Sequence, residues 1–309
     1  YTKAPERYTD AYPALKRSVE LEGDGSTAAV LVYYFRVAAK MVQMKKIEKA
    51  ELVDAYDRVS TIIDHNLKNS AKASAYENAQ RNVELTFEPY ASCPDLIGIY
   101  EEKYKASPED AELMRKIISI LEKKSCTDAE LYMNATIRLN ALEPSPESSY
   151  LIGKMYIRKG NQQKAAEYLA KGTTMEDPEE RADCYLLLAN AHFQLKSYRQ
   201  AREAALEASK LRPADGRPWI LIGDMYASTA GECGDNKVSA RAAYWAAVDK
   251  YVRARSVDPG MEKEANEKIA TYSRYFPPAE DIFFYGFADG QAYTVGCWIN
   301  ESTTVRSLK

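Results

Sequence analysis

The chain has 309 residues, a formal charge of −3 at pH 7, only 14 glycines, and 28% charged residues. So few glycines argue against a turn-dense sandwich or barrel and favour helices. The near-balanced charge excludes the broad positive field that gathers nucleic acid. The longest apolar stretch, 28–35, falls far short of the roughly 20 residues that a membrane-spanning helix needs.

The sequence opens at Tyr1 with no charged n-region and no apolar h-region, so location is not read from its start. In chain order, 26–44, 50–67 and 71–87 each carry apolar residues at helical spacing, with Asp24-Gly25-Ser26 as the first cap. These predict helical hairpins over 1–92, and Cys93-Pro94 starts the next helix.

Beyond that point the chain repeats itself. Apolar-then-proline endings recur at Pro108, Pro144, Pro178, Pro213 and Pro259, at spacings of 36, 34, 35 and 46 residues. The last spacing carries about a dozen extra residues at 228–239, rich in turn formers, which predicts an exposed loop. Within the period stand Ile152-Gly153, Tyr156, Ala165, Leu169 and Gly172. Next come Tyr185, Leu188-Ala189, His192, Ala201, Ala205 and Ala208, then Trp219, Ile222-Gly223 and Tyr226. Small residues at such positions let antiparallel helices approach closely while the large ones fill the gaps.

This pattern resembles the tetratricopeptide repeat family. The resemblance implies an all-α fold, a right-handed α-α superhelix over 93–275, with 108–144 a degenerate repeat. After 276 the period changes. The runs 282–287 and 292–299 flank Ala288-Asp289-Gly290-Gln291, which predicts a β-hairpin capping the end of the solenoid over 276–309. The insertion, the stretch 244–251 and the tail around Val295-Gly296-Cys297-Trp298-Ile299 are also similar to an exported group of tetratricopeptide proteins of the Bacteroidetes. That likeness implies a periplasmic or outer-membrane-associated setting, with the signal segment outside this sequence and membrane association possible through a lipid anchor.

No Walker loop, dinucleotide fingerprint, zinc-protease pair or nucleophile elbow occurs, and the two histidines, His65 and His192, lie in different hairpins. The reading is therefore a non-catalytic scaffold for a protein or peptide, with no metal and no cofactor. In the family the first helix of each repeat lines a concave surface. Carried over by alignment, that surface takes Tyr150, Lys154 and Arg158, then Asn190, Phe193 and Gln194, then Arg217 and Asp224. Amides and cations of this kind suit a peptide backbone and a carboxylate. A glycan-binding envelope protein is the alternative, and it calls for a flat cluster of exposed aromatics.

Five cysteines permit two bridges and one free thiol. Cys93 with Cys126 and Cys233 with Cys297 are the candidate pairs in an oxidising compartment, and Cys184 reads as a buried apolar residue. Five reduced thiols is the other possibility.

Overall fold

Short polar side chains at turns and prolines just inside helices fix where each helix begins. Ser92, Asp110, Ser145, Asn161 and Asp177 each accept a backbone N–H from the first turn that follows. Pro94, Pro146, Pro178 and Pro218 stand in the first turn, where a missing N–H costs nothing.

The computed structural model describes residues 5–69 and 73–308, and the expected helix start at Ala71 lies outside them. The fold class is all-α with one small C-terminal sheet. The chain divides into two compact units, 1–142 and 143–309. No described helix is long and apolar enough to cross a membrane.

The first unit contains α1 (Pro5–Glu22), α2 (Ala28–Gln43), α3 (Lys49–Asn69), α4 (Ala73–Phe87), α5 (Cys93–Ala106), α6 (Ala111–Lys123) and α7 (Glu130–Leu142). The first cap falls on Thr27, whose hydroxyl accepts from Val30 N. The core centres on Tyr56 and Phe87, stacked at 4.0 Å, with Phe35 packed edge-on to both. Cys93 and Cys126 form a disulfide that ties the start of α5 to the turn after α6.

The second unit is a stack of helical hairpins. These are α8 (Pro146–Arg158) with α9 (Gln162–Gly172), α10 (Pro178–Gln194) with α11 (Tyr198–Leu211), and α12 (Arg217–Ser228) with α13 (Ala242–Val257). Helix α14 (Glu262–Ser273) packs on α13, and the short α15 (Ala279–Phe284) follows.

Close approach at the helix crossings explains two of the glycines. A Cβ on Gly153 would lie 2.6 Å from Leu169, and one on Gly223 would lie 2.4 Å from the ring of Tyr251. That ring is fully buried and its hydroxyl donates to Asp224 at 2.8 Å, so it has nowhere to move. Gly223→Ala is therefore expected to cost about 1–3 kcal/mol through overpacking. This exceeds the gain of about 1 kcal/mol in helix propensity. A lower urea midpoint than wild type is the readout.

The C-terminal hairpin exists, but in another register than expected. Residues 282–287 are not a strand: α15 covers Ala279–Phe284, opened by Pro278 and favoured by Glu280 and Asp281 in its first turn. A short apolar run does not by itself separate strand from helix. The strands are β1 (Ala292–Val295) and β2 (Glu301–Thr304), paired antiparallel with Ala292 opposite Thr304 and Val295 opposite Glu301. The turn between them, 296–300, uses left-handed backbone at Cys297 (φ 65°) and Asn300 (φ 42°).

The insertion differs from the exposed loop that its composition predicts. Ala230, Cys233 and Val238 are buried, because the short turns of the insertion pack on each other and on α13, which the hairpin also covers. Trp245 of α13, fully buried, donates its indole N–H to Arg306 O at 2.8 Å and meets Tyr293 edge-on.

Candidate functional site

Helix α10 touches both α8 and α12, so the first helices of the three hairpins form one continuous face. On α8, Tyr150, Lys154 and Arg158 recur every four residues and share a stripe. Lys154 Nζ sits 4.3 Å above the Tyr150 ring, a cation–π contact that holds the ammonium at the surface. Burial, with the Asp183 carboxylate nearby, raises the pKa of Tyr150 above its ordinary value and keeps it a neutral donor.

On α10, the half-buried Asn190 donates from Nδ2 to Leu186 O at 3.0 Å, which orients its amide. Gln194 is exposed at the end of the helix. Phe193 turns inward instead. Its ring lies 6.1 Å from Tyr198, which stacks on Trp298 at 5.2 Å, and Trp298 meets Tyr226 edge-on. Phe193 thus belongs to an aromatic row joining α10, α11 and the hairpin.

The α12 candidates are engaged within the chain. Asp224 accepts from Tyr251 Oη and from Lys268 Nζ at 2.8 Å each. Arg217 grips Asp215, Nη2 to Oδ2 at 2.6 Å, and reaches Asp183 at 3.5 Å. Arg212 joins them through Glu179, Asp183 and Asp215. This network fastens the end of α11 to the starts of α10 and α12.

Burial alone would raise the pKa of Asp215. Hydrogen bonds from the side chain and backbone of Arg217, and from Arg212, outweigh it and hold the carboxyl below its ordinary value of 3.8. Stabilisation from a depressed carboxyl is fully present above the unfolded pKa and is lost as pH falls through the folded one. The deficit of Asp215→Asn relative to wild type should accordingly be largest near pH 7 and shrink below about pH 4. Denaturant midpoints taken at both pH values check this.

Sequence reasoning missed one feature of the first unit. An open cleft of about 860 Å³ is lined by Lys16, Glu51, Asp57, Arg58, Lys103 and Lys116, among others. Three of its acids come from α3, where Glu51, Asp54 and Asp57 recur every third residue, a legible stripe, and Glu20, Asp110 and Glu112 supply the others. Burial pushes the Asp57 carboxyl above its ordinary range, although Tyr100 donates to it and Lys103 lies 3.5 Å away. The α3 acids pair with bases from α1 and α5, as in Lys16–Glu51 and Lys103–Asp54, and Lys116 of α6 also acts on Asp57.

At α15, Phe283 and Phe284 are 84% and 80% exposed. The rings of Phe284 and Tyr285 meet at 82°, so they offer no flat platform. Among the described residues no group of three or more His, Cys, Asp or Glu is placed to hold a metal ion.

Cys233 and Cys297 carry no bridge. They are free, as is the buried Cys184, whose thiol donates to Leu169 O.

The tetratricopeptide repeat family model matches residues 146–177 and 182–215, the hairpins α8–α9 and α10–α11. The chain carries tetratricopeptide repeats. No curated protein sequence matches it. Among solved structures, one of MamA is 20% identical over 56% of this chain and 92% of that one, with a TM-score of 0.39. The C-terminal part of a TPR repeat-containing protein from Cytophaga hutchinsonii is 14% identical, covering 74% and 83%, with a TM-score of 0.43. At such TM-scores the likeness carries no argument, and the repeat assignment rests on the two matched stretches, 146–177 and 182–215.

Proposed function

We propose that the chain is a non-catalytic interaction scaffold that holds an extended peptide or protein tail along the face of α8, α10 and α12. The observation that carries this reading is the pairing of matched repeats with the polar groups on their first helices. Lys154 is propped on Tyr150, Asn190 is oriented by Leu186, and Gln194 is exposed. An ammonium and two amides so placed can pair with a peptide's acidic side chain and its backbone. Arg217 and Asp224 act as supports of the face, since both are engaged by residues of this chain.

The Cys93–Cys126 disulfide supports an oxidising setting such as the bacterial envelope, with membrane attachment by a lipid anchor part of the same proposal. The glycan reading draws less support at α15, where the rings of Phe284 and Tyr285 meet at 82°, than at Tyr244, on which Tyr272 and the exposed Tyr275 stack within 24°.

Capture from native envelope extract by wild type and by a Lys154→Glu, Asn190→Ala variant tests the reading. A wild-type partner should be lost by at least about tenfold in the variant, in line with about 1.4 kcal/mol or more for a truncated charged contact. Equal recovery by both proteins, with equal melting temperatures, would remove the face from consideration. Phe193→Ala is a poorer probe because that ring packs on Tyr198.

A further inference from the structure

The sequence offers two cysteine pairs, and the structure closes only one of them. The other two sulfurs nevertheless meet. Cys233 lies in the insertion between α12 and α13 and Cys297 in the turn between β1 and β2, near enough for the Cys297 thiol to help raise that of Cys233. Two further contacts fix the same juxtaposition. A Cβ placed on Gly296 would come 3.9 Å from Cys233 O. Trp298 Nε1 donates to Thr229 Oγ1 at 3.2 Å. The turn is thus seated on the insertion from both sides of Cys297.

The two thiols differ in access. Cys233 is 8% exposed, while Cys297 stands on the outside of a left-handed turn position. Burial first, and then the neighbouring Cys297 thiol, push the Cys233 thiol up to about 12. A reagent from solution therefore meets the exposed Cys297 first, with the buried Cys233 of the adjoining insertion as the resolving sulfur. Cys184 takes no part, being enclosed between α9 and α10 with its thiol on Leu169 O.

We propose that Cys233 and Cys297 are an exchangeable disulfide site, a latch that closes by reaction with a small-molecule or protein disulfide and fastens the terminal hairpin to the insertion. The Cys297 thiolate attacks one sulfur of the incoming disulfide. Its S–S bond breaks and one thiolate leaves. Cys233 then gives up its proton to solvent and attacks Cys297 Sγ, expelling the second thiolate. Two protein thiols are oxidised and one disulfide is reduced to two thiols, so electrons and protons balance.

With the latch open, the hairpin is held by non-covalent contacts, and those of its second strand include polar ones. Glu301 is gripped by Lys250 and Tyr226, and Thr303 donates to Asp249. Closing it adds a covalent tie between positions 233 and 297, far apart in sequence, where loop-closure entropy is largest.

The full chain is equilibrated in glutathione buffers from reducing to oxidising, quenched with an alkylating reagent and mapped by peptide mass spectrometry. The expected result is a Cys233–Cys297 peptide pair accumulating toward the oxidising end, with Cys184 alkylated only after unfolding. Under the same oxidising buffer, wild type should melt on the order of 5–10 °C above Cys297→Ser, in which the Cys93–Cys126 bridge is untouched. Two free thiols throughout, or a glutathione adduct on Cys297 that never resolves, would overturn the proposal. A bridge that leaves the melting temperature unchanged would overturn the latch.

Discussion

Trp245→Ala is expected to lower the stability of the second unit by about 3–5 kcal/mol. The indole is fully buried in α13, and it is the residue on which the C-terminal hairpin rests. Its removal leaves a large cavity against Tyr293 and strips Arg306 O of its indole donor. Arg306 also donates to Trp245 O and to Asp249, so the loosened tail no longer meets α13 in register. The remaining tryptophans, Trp219 and Trp298, both lie in the second unit. Their fluorescence in a denaturant titration reads the loss there, and faster proteolysis within 288–308 should accompany it. A midpoint within about 1 kcal/mol of wild type would show that the hairpin does not depend on this anchor.

Replacing both Cys93 and Cys126 by serine is expected to cost about 3–4 kcal/mol, the chain-entropy value for residues 33 apart in sequence. The bridge joins the start of α5 to the turn between α6 and α7, and Cys126 is itself buried. Far-UV circular dichroism in guanidinium, comparing the oxidised wild type with the double variant, measures it. A difference below about 1 kcal/mol would mean that the unbridged chain keeps these helices together in its unfolded ensemble.

The hairpins from α8 to α13 were legible because their signal is local. Gly153 with Leu169 and Gly223 with Tyr251 are small-against-large pairs that the repeat period places by itself. The terminal hairpin was legible only as a presence. Its second strand, Glu-Ser-Thr-Thr, has one buried side chain, Thr303, so the alternation that marks a strand is too weak to set the register. Helix α1 also went unread, since its exposed polar positions blur the period.

The candidate face shows the same division. The family resemblance supplied Tyr150, Lys154 and Arg158 by alignment, and their four-residue spacing on α8 puts them on one stripe. It could not reveal that Asp224 is met by Lys268, 44 residues away on a helix with no repeat signature. Nor could it show that Phe193 packs on Tyr198, which in turn stacks on Trp298 of the hairpin. Side-chain availability depends on which neighbours arrive from elsewhere in the fold, and that is a tertiary property. The α3 acids were readable as a stripe, but the bases that pair with them come from α1 and α5.

Hydrogen exchange of the whole chain with and without a captured peptide ligand would probe the central claim most directly. Slowed exchange confined to α8, α10 and α12, with Lys154→Glu abolishing it, is the result that an interaction face there requires. Protection centred on the α3 cleft or on α15, with those three helices unchanged, would contradict it.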